Sequence, residues 1–343
     1  MLKDITRILI ENMLDQLWKQ AQDSPERAAR NLIDLGLQFS KGTFQKKFLS
    51  YAQELLQHQD SAYYSLVVDL FHHVDKKSFV TFSMNLGYNG CSKGMKMIRA
   101  AEKEKGFSIP WSLRVMLDEN RLREDPQSYL SIVSQGKKMG IYVYVLFLEE
   151  GSEEKILPIL EQCPDCAFLV FLEGTGLSED FLTGVRNCGN TMISVYADTD
   201  MKEKCRKLRK QSLLYGIYRK YGDQDKEDIL EKTWLECQRE LEPHFIFLCA
   251  EPGCGMETRT EVYEKVLAIR REQKYPSLYI DAGLDLREID KIVSGNVCEL
   301  TFDRDGTSLV SVNGLEETGQ NIFESSLEEI LRSHGSRQPV AAN

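Results

Sequence analysis

The sequence predicts an α/β fold: a partial (β/α)6, TIM-like barrel that follows an all-helical N-terminal module and precedes a small C-terminal cap. Helical periodicity without strand alternation marks the first hundred residues. From about Phe107, short apolar runs alternate with amphipathic segments, which is typical of βα units on a parallel sheet. After residue 285 the pattern changes again. We therefore predict three domains, over residues 1–105, 106–285 and 286–343.

The N-terminal module is predicted from apolar stripes at helical spacing. The stripes lie within residues 10–17, 28–39, 44–55 and 66–71. Ser24 followed by Pro25 is a typical helix start, because serine can cap the first turn and proline suits the first helical position.

The barrel is predicted from six apolar runs that have the pattern of parallel strands. They lie at residues 113–117, 141–148, 167–172, 191–196, 244–249 and 277–281. Helices are expected to start near Asp125, Ser152 and Ser178. The charged stretch 199–241 is interpreted as two helices whose charges form a solvated face.

The C-terminal cap is predicted to contain a hairpin and a helix. Strands at 297–303 and 308–313 flank a turn from Asp303 to Gly306, and the helix covers about 324–333.

Composition favours a globular protein and argues against two classes of partner. Hydrophobic residues make up 42% and charged residues 28% of the chain. The net charge of −10 repels nucleic acid and anionic lipid, and the apolar runs are too short to span a membrane. Nine scattered cysteines and no signal-peptide pattern predict a cytoplasmic protein with free thiols.

Several motifs, each weak alone, follow one another along most of the chain. They are Ile109-Pro110-Trp111, Lys137 to Tyr142, Cys163 to Phe168, Leu172 to Thr175 and Ser194 to Ala197. Together they resemble the radical S-adenosylmethionine (SAM) superfamily, in the group with a helical N-terminal extension. The resemblance implies a barrel of radical SAM type, in which a cysteine loop after the first strand holds a [4Fe–4S] cluster that binds and cleaves SAM.

The cluster and SAM motifs of that family have no counterpart in this chain. The pattern C-x-x-x-C-x-x-C should follow the first strand, where the chain has Leu117 to Asp125 without a cysteine. The family's G-G-E-P motif, whose glycines let SAM approach, corresponds to Leu148 to Gly151. We therefore interpret the chain as a degenerate member, and expect no [4Fe–4S] cluster, weak or absent SAM binding and no other cofactor.

Polar side chains at the strand ends form the candidate site, because the carboxyl ends of barrel strands open on one face. The predicted pocket residues are Glu149, Glu150, Glu173, Thr175, Tyr196, Asp198, Glu251 and Asp281. Their carboxylates could bind a divalent cation or a basic ligand. The alternative is that they are solvated loop acids. No catalytic or metal-ligating residue is assigned.

Two other motifs are interpreted as structural. Cys163 and Cys166 have the spacing of a redox pair or half a zinc site, but no second pair of cysteines or histidines supplies the remaining ligands. Gly253 and Gly255 lack the lysine and hydroxyl residue of a phosphate-binding loop and are typical of a turn.

Two functional hypotheses follow. In the first, the chain is a pseudoenzyme that binds a protein or peptide partner, such as an active radical SAM enzyme or the peptide which that enzyme modifies. In the second, it is an enzyme that uses strand-end carboxylates for metal-assisted or acid–base chemistry. Titration with Mg²⁺, Mn²⁺, SAM and S-adenosylhomocysteine distinguishes the two.

Overall fold

A computed structural model describes residues 5–39, 50, 53, 60–149, 151–174, 176–231, 234, 236, 238–294, 298–311 and 315–334. The chain divides into two compact units, each built from two separate segments. The first unit comprises Met1–Met84 and Met192–Ala282, and the second comprises Asn85–Thr191 and Gly283–Asn343. The domain bounds predicted from the sequence stay a prediction.

Ten strands occur among the described residues. They are β1 (Ser112–Met116), β2 (Val143–Leu148), β3 (Ala167–Leu172), β4 (Thr191–Tyr196), β5 (Tyr215–Tyr221), β6 (Phe245–Ala250), β7 (Leu278–Asp281), β8 (Leu300–Phe302), β9 (Thr307–Ser311) and β10 (Leu315–Asn321). All six predicted barrel strands are present within a few residues of their expected bounds. The α/β fold class is confirmed.

The first unit combines the N-terminal helices with a parallel sheet in the order β4-β5-β6-β7. Its α-helices are Ile5–Asp23, Pro25–Phe39, Tyr63–His73, Lys76–Ser83, Met201–Lys210, Lys226–Leu230 and Met256–Glu272. The helix Pro25–Phe39 starts where Ser24 and Pro25 predict. The apolar stripe at 44–55 lies almost wholly outside the described residues.

The interpretation of 199–241 as two helices is wrong, because β5 lies between the helix Met201–Lys210 and a short helix at Lys226–Leu230. Five of the seven β5 residues are buried, including Tyr215, Ile217 and Tyr218, and neighbouring strands pair with both edges. Arg219 and Lys220 are only half-buried, and because they are charged, the sequence pattern of β5 resembled that of an exposed helix. The hydrogen bonds that β5 makes with β4 and β6 outweigh the helical pattern of the local sequence.

The helices before β1 pack through aromatic rings and small residues. Trp18 lies edge-on against Phe71, with ring centroids 5.1 Å apart, and contacts Phe79 at 5.4 Å. Ala21 and Ala28 are fully buried beside them. The described residues from Ile5 to Lys105 contain no strand, as the all-helical N-terminal module predicts.

A partly buried charge network joins the N-terminal helices to the strands of the first unit. The carboxylate of Asp69, in helix Tyr63–His73, faces the guanidinium of Arg209 at 2.5 and 3.1 Å. The Nε2 atom of buried His244 lies 3.2 Å from Oδ2 of Asp69. Burial alone would raise the pKa of Asp69, but contacts with His244 and Arg209 outweigh it and hold that pKa well below its usual range.

The second unit carries a sheet in the order β10-β9-β8-β1-β2-β3, in which β8, β1, β2 and β3 are parallel, β9 is antiparallel to β8, and β10 is antiparallel to β9. Its α-helices are Met95–Lys105, Glu119–Glu124, Pro126–Met139, Leu157–Gln162, Glu179–Cys188, Leu284–Ser294 and Leu327–His334. The predicted C-terminal hairpin and helix are present, and β10 was not predicted. No helix in the described part of the chain is long and apolar enough to cross a membrane.

A buried carboxylate ties the amino end of β1 to helix Leu284–Ser294. Asp290 is 4% exposed. Its two oxygens accept hydrogen bonds from the backbone amides of Trp111, at 2.7 Å, and Cys298, at 2.6 Å. Burial raises the pKa of Asp290 to about 7, against the opposing effect of these two hydrogen bonds.

Candidate functional site

The segment after β1 forms a capped helix in place of a loop. The carboxylate of Asp118 accepts a hydrogen bond from the backbone amide of Arg121 at 2.8 Å, which caps the helix Glu119–Glu124. The backbone amide of Asp118 donates to the hydroxyl of Tyr129 at 2.9 Å. Burial raises the pKa of Tyr129 to about 12, so this hydroxyl stays neutral.

These residues do not fit an iron–sulfur cluster. The [4Fe–4S] cluster of radical SAM enzymes needs three thiolates from one loop, and no cysteine lies between Cys91 and Cys163 in the sequence. Among the described residues, no group of three or more histidine, cysteine, aspartate or glutamate side chains is arranged to hold a metal ion. The donor set at the end of β1 is therefore wrong for the cluster.

Two predicted pocket residues come together at the ends of β2 and β3. The last register pair of these strands is Leu148 with Leu172, and the amide of Glu173 donates to the carbonyl of Leu148 at 2.9 Å. Glu149 and Glu173 are thus adjacent just beyond the sheet. Glu150 and Thr175, also predicted here, lie outside the described residues.

Arg304 occupies the space beside these two glutamates. Its Nη2 atom is 2.5 Å from Oε1 of Glu149 and 3.9 Å from Oε2 of Glu173. It projects from the turn between β8 and β9, where the carboxylate of Asp303 accepts from the amide of Thr307 at 2.7 Å. The side chains of Arg304, Glu149 and Glu173 are 49%, 42% and 32% exposed, so the cluster remains open to solvent. We name Glu149, Glu173 and Arg304 the mouth cluster.

Further ion pairs and hydrogen bonds occur in the segments that follow β1, β2 and β3 in the second unit. Lys155 forms a short ion pair with Glu119, and this contact lowers the pKa of Glu119. Ser178 caps its helix by accepting from the amide of Phe181 at 3.1 Å, as predicted, and also donates to Glu154 at 2.5 Å. The predicted helix start at Ser152 is a short 3-10 turn, because its hydroxyl instead donates to the carbonyl of Glu149 at 2.6 Å.

The predicted residues in the first unit have intramolecular partners. Asp198 accepts from Nζ of Lys204 at 2.6 Å, and that lysine side chain is only 4% exposed. Asp281 is buried and accepts from the hydroxyl of Tyr221 at 3.0 Å. Burial and the negative charge of Asp281 raise the pKa of Tyr221.

Tyr196 and Glu251 complete the predicted set in that unit. The ring of Tyr196 packs edge-on against Tyr218, with centroids 5.3 Å apart. Glu251 is exposed, and its carbonyl accepts from the guanidinium of Arg259 at 3.1 Å. The convergence of all eight residues on one cavity stays a prediction.

The turn at Cys163 and Cys166 is held by amide side chains. Asn85 donates to the carbonyls of Pro164, at 2.9 Å, and Cys166, at 2.8 Å. Asn89 donates to the carbonyl of Asp165 at 2.8 Å. Both asparagines are buried in the π-helix Met84–Gly94. Burial raises the pKa of both thiols, which makes them poor nucleophiles and poor metal ligands.

Replacement of Cys163 and Cys166 together by alanine is expected to leave the protein folded. We expect a loss of about 2 kcal/mol in the free energy of unfolding, from the two buried sulfurs, without loss of a metal. Circular dichroism during urea unfolding and elemental analysis for zinc test this. One equivalent of zinc in the wild type that disappears in the variant would contradict the structural interpretation.

Arg304 is the functional residue that sequence reasoning missed. The turn from Asp303 to Gly306 was predicted, but its contact with Glu149 spans more than 150 residues of sequence. The pairing of β8 with β1, which the sequence analysis did not predict, brings this turn to the end of β2.

Comparison with known proteins gives the fold. No protein-family model and no curated protein sequence matches the chain. SuiB from Streptococcus suis bound to precursor peptide SuiA is similar, with a TM-score of 0.51 and 12% identity over 69% of this chain and 68% of SuiB. SuiB bound to S-adenosylmethionine has the same TM-score and identity over 69% and 67% of the two chains. A further SuiB structure covers 92% of this chain and 76% of its own at a TM-score of 0.51 and 11% identity. The chain therefore has an α/β fold that resembles the SuiB fold.

Proposed function

We propose that this chain is a degenerate, non-catalytic radical-SAM-like protein that binds a peptide or protein partner. A basic side chain of that partner would make the contact. The observation that carries the proposal is the mouth cluster, in which a guanidinium already lies against two strand-end glutamates. Charge-assisted hydrogen bonds between guanidinium and carboxylate are among the stronger ones in proteins. A lysine or arginine of a partner could take the place of Arg304.

The segment after β1 supports the non-catalytic part of the proposal. Radical SAM chemistry needs an iron that binds SAM, and the capped helix Glu119–Glu124 supplies no thiolate to hold it. The end of β2 also departs from the glycine-rich SAM edge, because buried Leu148 and paired Glu149 stand where the family has glycines.

The peptide part of the proposal agrees with what the similar structures bind. SuiB is described in complex with a precursor peptide and, separately, with S-adenosylmethionine. We propose that this chain keeps a peptide-binding capacity on the shared fold and has lost the SAM chemistry. Its partner would then be a peptide or the active enzyme that modifies that peptide.

The second candidate function is metal-assisted or acid–base catalysis by the strand-end carboxylates. The proximity of Glu149 and Glu173 favours it, because two adjacent carboxylates are a usual part of a divalent cation site. A cation would have to displace Arg304 from both glutamates. Binding of Mg²⁺ or Mn²⁺ that is lost in Glu149→Gln would support this function over the first.

We expect anaerobically reconstituted protein to bind neither a [4Fe–4S] cluster nor SAM. The physical reason is the missing thiolate set after β1. Iron and sulfide analysis, visible absorption and isothermal titration with SAM and S-adenosylhomocysteine measure this. Four irons for each chain, with absorption that disappears in cysteine-to-alanine variants, would overturn the non-catalytic assignment, as would SAM affinity tighter than about 10 μM.

A short arginine peptide is expected to bind the mouth cluster. Its isosteric citrulline analogue has no charge and should bind at least about 10-fold more weakly, a difference of about 1.4 kcal/mol. In the double variant Glu149→Gln with Glu173→Gln, the affinity for the arginine peptide should fall to that of the citrulline peptide. In Arg304→Gln the affinity for the arginine peptide should rise several-fold, because the protein's own guanidinium no longer competes for the two glutamates.

The control for this titration is Glu104→Gln with Glu161→Gln. Both residues are exposed and outside the mouth cluster, and the pair changes the net charge by the same amount. Equal losses in the control and in the mouth variant would mean that only the total charge attracts the peptide, and the proposed site would be wrong.

A further inference from the structure

The helix Met201–Lys210 concentrates positive charge on an acidic protein. It carries six basic residues and one acidic residue, in a chain of net charge −10. The sequence alone suggested a solvated face without a role. The structure separates the six basic residues into two groups with different surroundings.

Two of the six residues point inward and have carboxylate partners. Lys204 is paired with Asp198 at 2.6 Å, and Arg209 is paired with Asp69 at 2.5 Å. Their side chains are 4% and 21% exposed. These charges stabilise the first unit and are not available to a ligand.

The other four residues point outward, and we name them the basic face: Lys202, Arg206, Lys207 and Lys210. Lys202, Arg206 and Lys210 follow one another at intervals of four residues and form one row along the helix. This row is about 12 Å long at 1.5 Å per residue. Side chains of Lys202 and Arg206 are 66% and 67% exposed.

Nearby acids neutralise the basic face only in part. Glu203 contacts Arg206 at 2.5 Å, and Glu240 lies 3.9 Å from Lys202 while remaining 79% exposed. Lys210 also has an interaction of its own, whereas Lys207 has no ion-pair partner within the described ranges. Exposed pairs of this kind are weak and exchange easily with other anions, so a positive surface remains.

We propose that the basic face is a docking site for an acidic peptide segment of a partner protein. Charge complementarity identifies the occupant, because four exposed cations lie together on one helix of a chain whose net charge is −10. The row spans about four residues of extended peptide at about 3.4 Å each, so alternate carboxylates of a short acidic stretch can meet its cations.

A peptide suits this surface better than a nucleic acid does. The helix contains no aromatic side chain on which a base could stack. The basic face shares no residue with the mouth cluster, and the proposal does not depend on the function proposed for that cluster.

The test is fluorescence anisotropy with a labelled octaglutamate peptide at low salt. Wild-type protein should bind the peptide, and binding should weaken as salt screens the charges. Lys202→Glu with Arg206→Glu and Lys207→Glu should weaken binding at least about 10-fold. The corresponding glutamine triple variant should show an intermediate loss, which excludes simple misfolding as the cause.

The matched control is Lys19→Glu with Lys96→Glu and Lys103→Glu, three exposed lysines outside this helix. It changes the net charge equally and should alter binding by less than about twofold. Absence of octaglutamate binding by the wild type, or equal losses in both triple variants, would overturn the proposal. Tighter binding of an oligothymidylate of equal charge, lost in the same variant, would instead identify a nucleic-acid site and also overturn it.

Discussion

Arg209→Ala is expected to lower the free energy of unfolding by about 2–3 kcal/mol. The variant leaves Asp69 without the guanidinium that makes two of its contacts, in a position where the carboxylate is only 21% exposed. Breaking a fully buried pair costs about 3–5 kcal/mol, and the remaining exposure reduces that cost. Urea unfolding followed by tryptophan fluorescence measures the change.

Arg206→Ala in the same helix is the matched control. Its pair with Glu203 is mostly solvated, with side chains 67% and 56% exposed, so the expected cost is below about 0.5 kcal/mol. Similar costs for Arg206→Ala and Arg209→Ala would show that the network around Asp69 does not stabilise the fold.

Asp69→Asn is expected to flatten the pH dependence of stability on the acid side. Because the folded protein lowers the pKa of Asp69, this residue contributes stability above about pH 4 and loses it as pH falls towards the folded-state pKa. The asparagine variant does not titrate there. The unfolding free energies of the two proteins should therefore converge below pH 4.

Asp290→Ala is expected to cost about 2–4 kcal/mol at pH 5, because one buried and one partly buried backbone amide lose their acceptor. The amides belong to Trp111, just before β1, and Cys298, just before β8. Glu288→Ala lies on the same helix, in a pair that is about half exposed, and should cost less than about 0.5 kcal/mol.

The cost of Asp290→Ala should be smaller at pH 8 than at pH 5 by roughly 2 kcal/mol. The folded protein raises the pKa of Asp290 to about 7, so the stability linked to this proton is full below about pH 4 and is lost as pH rises through 7. The wild type therefore weakens over this range, whereas the alanine variant has no proton to lose. Equal costs at the two pH values would mean that Asp290 has the same charge at both.

The sequence predicted those elements whose local pattern is strong. β2 and β3 are continuous apolar runs, since helices and neighbouring strands bury both of their faces, and such runs are hard to mistake. β5 was not predicted because the positive charges of Arg219 and Lys220 continue the composition of the charged helix that precedes it. β10 was missed because its residues, from Leu315 to Asn321, are mostly polar and gain their strand form from pairing with β9.

The adjacency of Glu149 and Glu173 was predictable from the sequence, whereas their ionic partner was not. Parallel strand order places Glu149 and Glu173 at one edge, and this much follows from the sequence. The ionic partners do not, because Arg304 is distant in sequence and Lys204 was read as part of a solvated face. The rotation of a helix about its axis decides which of its charged side chains face the core. If the predicted position is wrong by one residue, a buried ion pair is mistaken for a solvated one.

The pairing of β1 with β8 constrains how the protein is made. Arg114 pairs with Thr301 and Val115 with Phe302, so ribosomes must synthesise nearly 190 more residues after β1 before its partner exists. At about 5–20 residues per second, one edge of β1 stays open for roughly 10–40 seconds. An open strand edge is a template for aggregation, so we expect a chaperone that covers β1 to help the nascent chain fold.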